Sequence, residues 1–234
     1  VISMQIGFFL IEVAASRKTN SVSILMKNLL DMSTSITGYY LLGHGLMFGA
    51  SWYGVLGIFD SLDPYEIYGG NWFYFMTFAA TSGTIASGCC IERMHLHVYI
   101  GLSILLSSFV FPIAGHWAWH PDGFLFQMGF VDMAGAAVVH ALGGASAMVC
   151  TIMLGPRTGF FNRSLPKELE CVRSTLEMSK EAFQVDPING VLGAMLLFIS
   201  WLGFNCGAGI GFKTPASSST IVMDVGHIAF GARW

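Results

Sequence analysis

The sequence predicts an all-α integral membrane protein, on three observations. Of its 234 residues, 54% are hydrophobic and only 11% are charged, whereas a soluble domain carries about a quarter. The apolar residues gather into runs long enough to cross a bilayer, which takes about 20 residues. Between those runs, Lys and Arg fall in alternate connections, the asymmetry that orients membrane helices. Mean hydropathy is +0.63. The net charge of −3 gives no sign of nucleic-acid binding.

The chain opens at Val1 inside an apolar run, residues 1–15, too short to span and read as the remainder of a clipped helix. Spanning runs follow at residues 23–48, 72–90, 97–113, 128–154 and 188–210. Turn chemistry separates them: Asp60-Ser61-Leu62-Asp63-Pro64, His120-Pro121-Asp122-Gly123, and a polar loop over residues 156–187. Residues 211–234 make no convincing span. Arg17, Lys18 and Lys27 flank the first turn, Arg93 the next turn on the same side, and Arg157, Arg163, Lys167, Arg173 and Lys180 fill the long loop. The opposite connections hold Asp60, Asp63, Glu66 and Asp122 without a base. The basic loops therefore face the cytoplasm, and the sequon at Asn162 falls on that side and is discounted. Five cysteines (Cys89, Cys90, Cys150, Cys171, Cys206) show no metal-like spacing, and the four in or beside apolar runs read as small hydrophobes.

The chemistry centres on residues 132–140. Asp132 and His140 stand eight residues apart in an otherwise uncharged run. Ionisable groups at membrane depth are costly and default to function. Counting about 1.5 Å per residue places Phe78 about 9 Å below the outer face and Phe204, entering from inside, about 24 Å up at a similar level. Taking the fifth run to start at Met128 places His140 about 18 Å down. Trp117 and Trp119 sit at the outer mouth. An aromatic mouth, an aromatic constriction and then a histidine form a path for a small cation or its neutral base. Structural readings stand beside this one. Either Phe can simply pack against lipid or helix, a Trp can anchor at the interface, His140 can bond a neighbouring helix, and Asp132 can cap a helix or brace a loop. Glu12, Asp31 and Glu92 read as braces. His116 and His120 have HxxxH spacing, but the box faces outside and the chain has no adjacent histidine pair, which disfavours a di-iron enzyme. His95 and His97 read as interfacial.

Seven segments, in order and with matching spacing, resemble the ammonium transporter (Amt/Mep/Rh) family, and its Amt branch above the Rh branch. They are Gly7-Phe8-Phe9-Leu10-Ile11-Glu12, Arg17-Lys18-Thr19-Asn20, Ile24-Leu25-Met26-Lys27-Asn28-Leu29-Leu30-Asp31, Glu92-Arg93, Asp132 to His140, Gly155-Pro156-Arg157 and Gly203-Phe204-Asn205-Cys206-Gly207. The resemblance implies an eleven-helix fold of two inverted repeats, of which this chain is the first half, clipped at both ends. It implies a homotrimer in the plasma membrane, conducting ammonium or ammonia, with methylammonium as a related substrate, and acting without a cofactor or enzymatic step. By the same resemblance Phe78 and Phe204 match the Phe gate, Trp119 and Phe78 the outer recruitment site, His140 the first pore histidine, and Asp132 the aspartate near the recruitment site. Two departures stand out. Ala208 occupies the recruitment position where a serine is expected, and the second pore histidine belongs to a later helix. An ammonium sensor, a non-conducting homologue and an Rh-type gas channel are the alternatives.

Overall fold

The computed structural model describes residues 2–58, 70–157 and 186–211, with the side chains of 70–71 and 206–211 left out. The 156–187 loop, apart from its ends, and the acidic connection from Asp60 to Glu66 lie outside the described residues. Helix α1 is Ile2–Ala14. After a single 3-10 turn at Lys18–Asn20, α2 (Ser21–Gly38) continues through a π turn, Tyr39–Gly43, into α3 (His44–Phe48). Helix α4 is Gly70–Cys90. Helix α5 (Leu96–Leu105) runs through a second π turn, Leu106–Val110, into α6 (Phe111–Trp119). A short α7 (Phe124–Gln127) follows, then a π turn, Ala136–Ala141, that opens α8 (Leu142–Leu154), and finally α9 (Pro187–Gly211).

Among the described residues, three helical stretches are both long and apolar enough to cross a membrane: Leu96–Gln127, Ala136–Leu154 and Pro187–Asn205. The rod from Ser21 to Phe48 and helix α4 have spanning length but more polar composition, and the fold shows why. Helix α2 buries Lys27, Asn28, Asp31 and Ser35 and exposes Val22, Leu25, Met26 and Leu29. Its polar face looks inward and its apolar face outward, the reverse of a soluble helix. Lys27 is accordingly no loop charge. Its Nζ lies 3.0 Å from Glu12 Oε2 and 2.6 Å from Ser87 Oγ, over the ring of Tyr99 at 4.8 Å. Asn28 also donates to Glu12 at 2.7 Å, and Thr84 donates to Asp31 at 2.9 Å and to Gln5 at 2.8 Å. Helices α1, α2 and α4 are thus joined by a buried polar network in a place where unpaired groups are costly.

Two boundaries differ from the sequence expectation. The 97–113 run extends to Trp119, so both tryptophans sit on the last helical turns. Pro112 lacks an N–H and would clash with the preceding turn in a straight α-helix, and the π turn before it relieves that conflict. The 128–154 run becomes helical only at Ala136, because Gly129 and Gly135 take positive φ values of 83° and 76°. The all-α expectation also needs amendment. Ala50–Trp52 and Leu56–Ile58 form an antiparallel hairpin with Ser51 opposite Gly57. Tyr53 (φ 52°) and Gly54 (φ 76°) make its turn, as a tight hairpin turn requires. Trp117 Nε1 donates to the Val55 carbonyl at 2.6 Å and Phe124 N to the Gly54 carbonyl at 3.1 Å, which fastens the hairpin over the end of α6.

At the basic end Glu92 (φ 59°) accepts from Arg17 N at 3.0 Å and from Asn20 Nδ2 at 2.6 Å, and lies 3.5 Å from the Arg157 guanidinium. The Arg17-to-Asn20, Glu92-Arg93 and Gly155-to-Arg157 segments thereby meet at one point. Helices α1 and α9 cross at Gly7 and Gly193, where a Cβ on Gly193 would lie 2.8 Å from the Gly7 carbonyl oxygen. Only glycine permits that approach.

Candidate functional site

The site is a string of rings drawn from four helical segments. Trp119 closes α6, 7% exposed, and its ring centroid lies 6.1 Å from that of Phe78 on α4. Phe78 stacks on Phe204 of α9 at 4.1 Å with an interplanar angle of 14°, and neither has any exposure. Phe204 lies 5.5 Å from the half-buried imidazole of His140 in the π turn. The expectation that Phe78 and Phe204 share a level is met by direct contact. At this separation the stacked rings touch.

Asp132 sets the geometry of the histidine. Its Oδ1 accepts from Ala136 N at 2.8 Å, and its Oδ2 from Ala137 N and Val138 N at 2.9 Å each. These are amides that a helix start leaves without partners, and a carboxylate there also complements the helix dipole. The Asp132 carbonyl accepts from Trp119 Nε1 at 2.5 Å. One residue therefore fixes both the tryptophan and the turn that carries His140. A Cβ on Gly135 would lie 2.7 Å from Val139 Cγ2 and 3.4 Å from Phe78 Cε2, so its left-handed backbone also lets the turn approach the stack.

One depth count is corrected. His140 was placed about 18 Å down by counting from Met128. With the helical turn starting at Ala136, it lies only about 6 Å from that start, and contact with Phe204 rather than helix rise fixes its place. Ala208 belongs to α9, but its side chain lies outside the described residues.

Two site residues escaped the sequence reading. Tyr74 sits one turn before Phe78, packs on it at 4.4 Å, and donates its hydroxyl to the Phe204 carbonyl. Trp201 sits three residues before Phe204 and meets His140 edge-on at 6.2 Å. Steps of three and four place both on the faces already named, so the spacing was available as a signal. The His116–His120 box takes another role. The rings stack at 4.3 Å, and both nitrogens of His116 are engaged, Nδ1 with the Met47 carbonyl at 2.8 Å and Nε2 with Ser51 Oγ at 2.9 Å. Neither nitrogen is left to hold iron.

The comparisons agree with one another. Residues 1–231 match the Ammonium Transporter Family. Ammonium transporter 3 of Dictyostelium discoideum is 36% identical over 95% of this chain and 50% of its own length. Ammonium transporter Amt2 of Archaeoglobus fulgidus is 34% identical over 89% and 45%. A solved structure described as a Sensor Amt Protein superposes with a TM-score of 0.75 at 34% identity, covering 88% of this chain and 51% of that one. Saccharomyces cerevisiae Mep2 superposes at 0.65 with 21% identity over 88% and 45%, a likeness of fold alone. The chain spans about half the length of the curated relatives it matches. On the ordered motifs, the ring string they assemble and these likenesses, the chain is an integral membrane protein that belongs to the ammonium transporter family.

Proposed function

We propose that this chain supplies the outer and upper part of an ammonium-conducting pore. The observation that carries the reading is the Phe78–Phe204 stack, set between Trp119 on one side and His140 on the other. Ammonium is held at the mouth over the faces of Trp119 and Phe78, where a desolvated cation–π contact contributes about 2 kcal/mol. That does not offset taking a bare cation through an apolar constriction, which costs several times more. Desolvation favours the neutral form, so the proton passes to water on the outer side and ammonia follows once a gate ring rotates. Below the gate His140 offers a ring that, when neutral, both donates and accepts hydrogen bonds. Potassium has no proton to release and is excluded by the same cost. With Ala208 at the recruitment position the cation lacks a hydroxyl acceptor there, which weakens capture. A second pore histidine on a later helix, a trimeric assembly and a place in the plasma membrane are part of the same proposal.

The test is ammonium flux into liposomes carrying the complete protein. Phe204→Ala should open the constriction and admit water, and His140→Ala should change rate or substrate range while membrane insertion is retained. Flux unaltered by both substitutions would refute the pore assignment. The likeness to a Sensor Amt Protein favours a second reading, in which the same site binds ammonium and signals. Saturable binding without flux would select it.

A further inference from the structure

Cys89 and Cys90 end α4, and Cys150 lies one turn before the end of α8. In the chain they show no ligand-like spacing, yet the fold brings their sulfur atoms within 4.8 Å of one another, with Cys89 and Cys90 Sγ 3.4 Å apart. All three are free thiols, Cys90 buried and the other two partly exposed. A metal bound by thiolates at about 2.3 Å holds its sulfurs about 4 Å apart, the middle of the observed range.

The charge also fits. Arg93 donates to the Cys89 carbonyl and, at 2.9 Å, to the Gly155 carbonyl, so its guanidinium sits beside the cluster and ties the same two helix ends. Three thiolates would be balanced by one divalent ion together with that guanidinium. The partial exposure of Cys89 and Cys150 leaves room for a water as a fourth ligand. Taken singly, each thiol has an ordinary explanation: Cys89 and Cys90 Sγ lie 2.9 and 3.5 Å from the Ala86 carbonyl, as helix cysteines commonly do. What that leaves unexplained is the convergence of three sulfurs from two helices next to a fixed cation.

We propose that Cys89, Cys90 and Cys150 form a three-thiolate site for a soft divalent cation of the zinc class at the basic end of the molecule. Each thiol loses its proton to solvent on binding. The bound ion would join the helix that carries Phe78 to the helix that continues from His140. The site does not depend on the transport reading.

The test uses the chain purified in detergent under anaerobic, reducing conditions. Cadmium should give a sulfur-to-cadmium ultraviolet absorption saturating at one ion per chain, and should displace bound zinc, as the softer ion does at thiolates. X-ray absorption of the unsubstituted chain should report three sulfur neighbours. Cys150→Ser should weaken binding by at least about 100-fold, beyond the effect of losing an outer-shell partner, while Cys171→Ser/Cys206→Ser should leave it intact. Zinc should also raise Tm in the latter variant and not in the former. Fewer than three sulfur neighbours, binding that survives Cys150→Ser, or a Cys89–Cys150 disulfide in the reduced preparation would overturn the site. The absorption measurement decides even if Cys150→Ser fails to fold.

Discussion

Asp132 shows how much a single carboxylate can set. Its two oxygens take three backbone amides of the turn leading to His140, and its carbonyl takes the indole of Trp119. Its side chain therefore acts as a helix cap that also orients the site. Replacing it with Ala strips three donors of their acceptor at a buried position. Each unsatisfied group costs about 1–3 kcal/mol, so Asp132→Ala should lower stability by at least about 2 kcal/mol, read as a fall in Tm in detergent. Asp132→Asn keeps one acceptor oxygen and should lose less. Equal Tm for Asp132→Ala and the unsubstituted chain would contradict the capping role.

Between elements, close approach is set by small residues. Helices α1 and α9 meet where Gly7 and Gly193 leave no room for a Cβ. Helices α4 and α8 meet similarly, with a Cβ on Gly143 3.0 Å from the Ser82 carbonyl oxygen. These contacts bring Phe204 and His140 up to Phe78. Gly193→Leu should push α9 off α1, and overpacking of this kind costs about 1–3 kcal/mol. The expected readouts are a lower Tm and a weaker response of ammonium flux to Phe204→Ala in the complete protein, because the stack would already be broken. A Gly193→Leu protein with unchanged Tm would mean that the crossing does not fix the stack.

Across the molecule, the buried network of Glu12, Lys27, Asn28 and Ser87 ties the first three long helices together. Breaking a buried ion pair from one side costs about 3–5 kcal/mol, while replacing both partners costs far less. Glu12→Gln and Lys27→Met should each destabilise strongly, and the double variant by less than either sum predicts. Strict additivity in denaturation would show that the pair is not coupled. Orientation gives a further test. In a cysteine-free background, Asp122→Cys should react with a membrane-impermeant maleimide in intact cells and His95→Cys only after permeabilisation. The reverse pattern would invert the topology.

The sequence by itself determined the membrane class, the alternation of basic and acidic ends, and the family, because composition, run length and ordered motifs are local properties of the chain. It also placed Phe78 and Phe204 at one level, because helix rise is constant. It misjudged whatever depended on where a helix begins or which helices touch. Gly129 and Gly135 delayed the helix that carries His140, and a hairpin formed at the mouth after α3. The partners of Tyr74 and Trp201, whose spacing already put them on the right helix faces, and the convergence of Cys89, Cys90 and Cys150 emerged only from packing. A helix face can be read from spacing, but the partner it meets is chosen by tertiary contact between segments more than a hundred residues apart, as with Tyr74 and Phe204, and no local pattern encodes that choice.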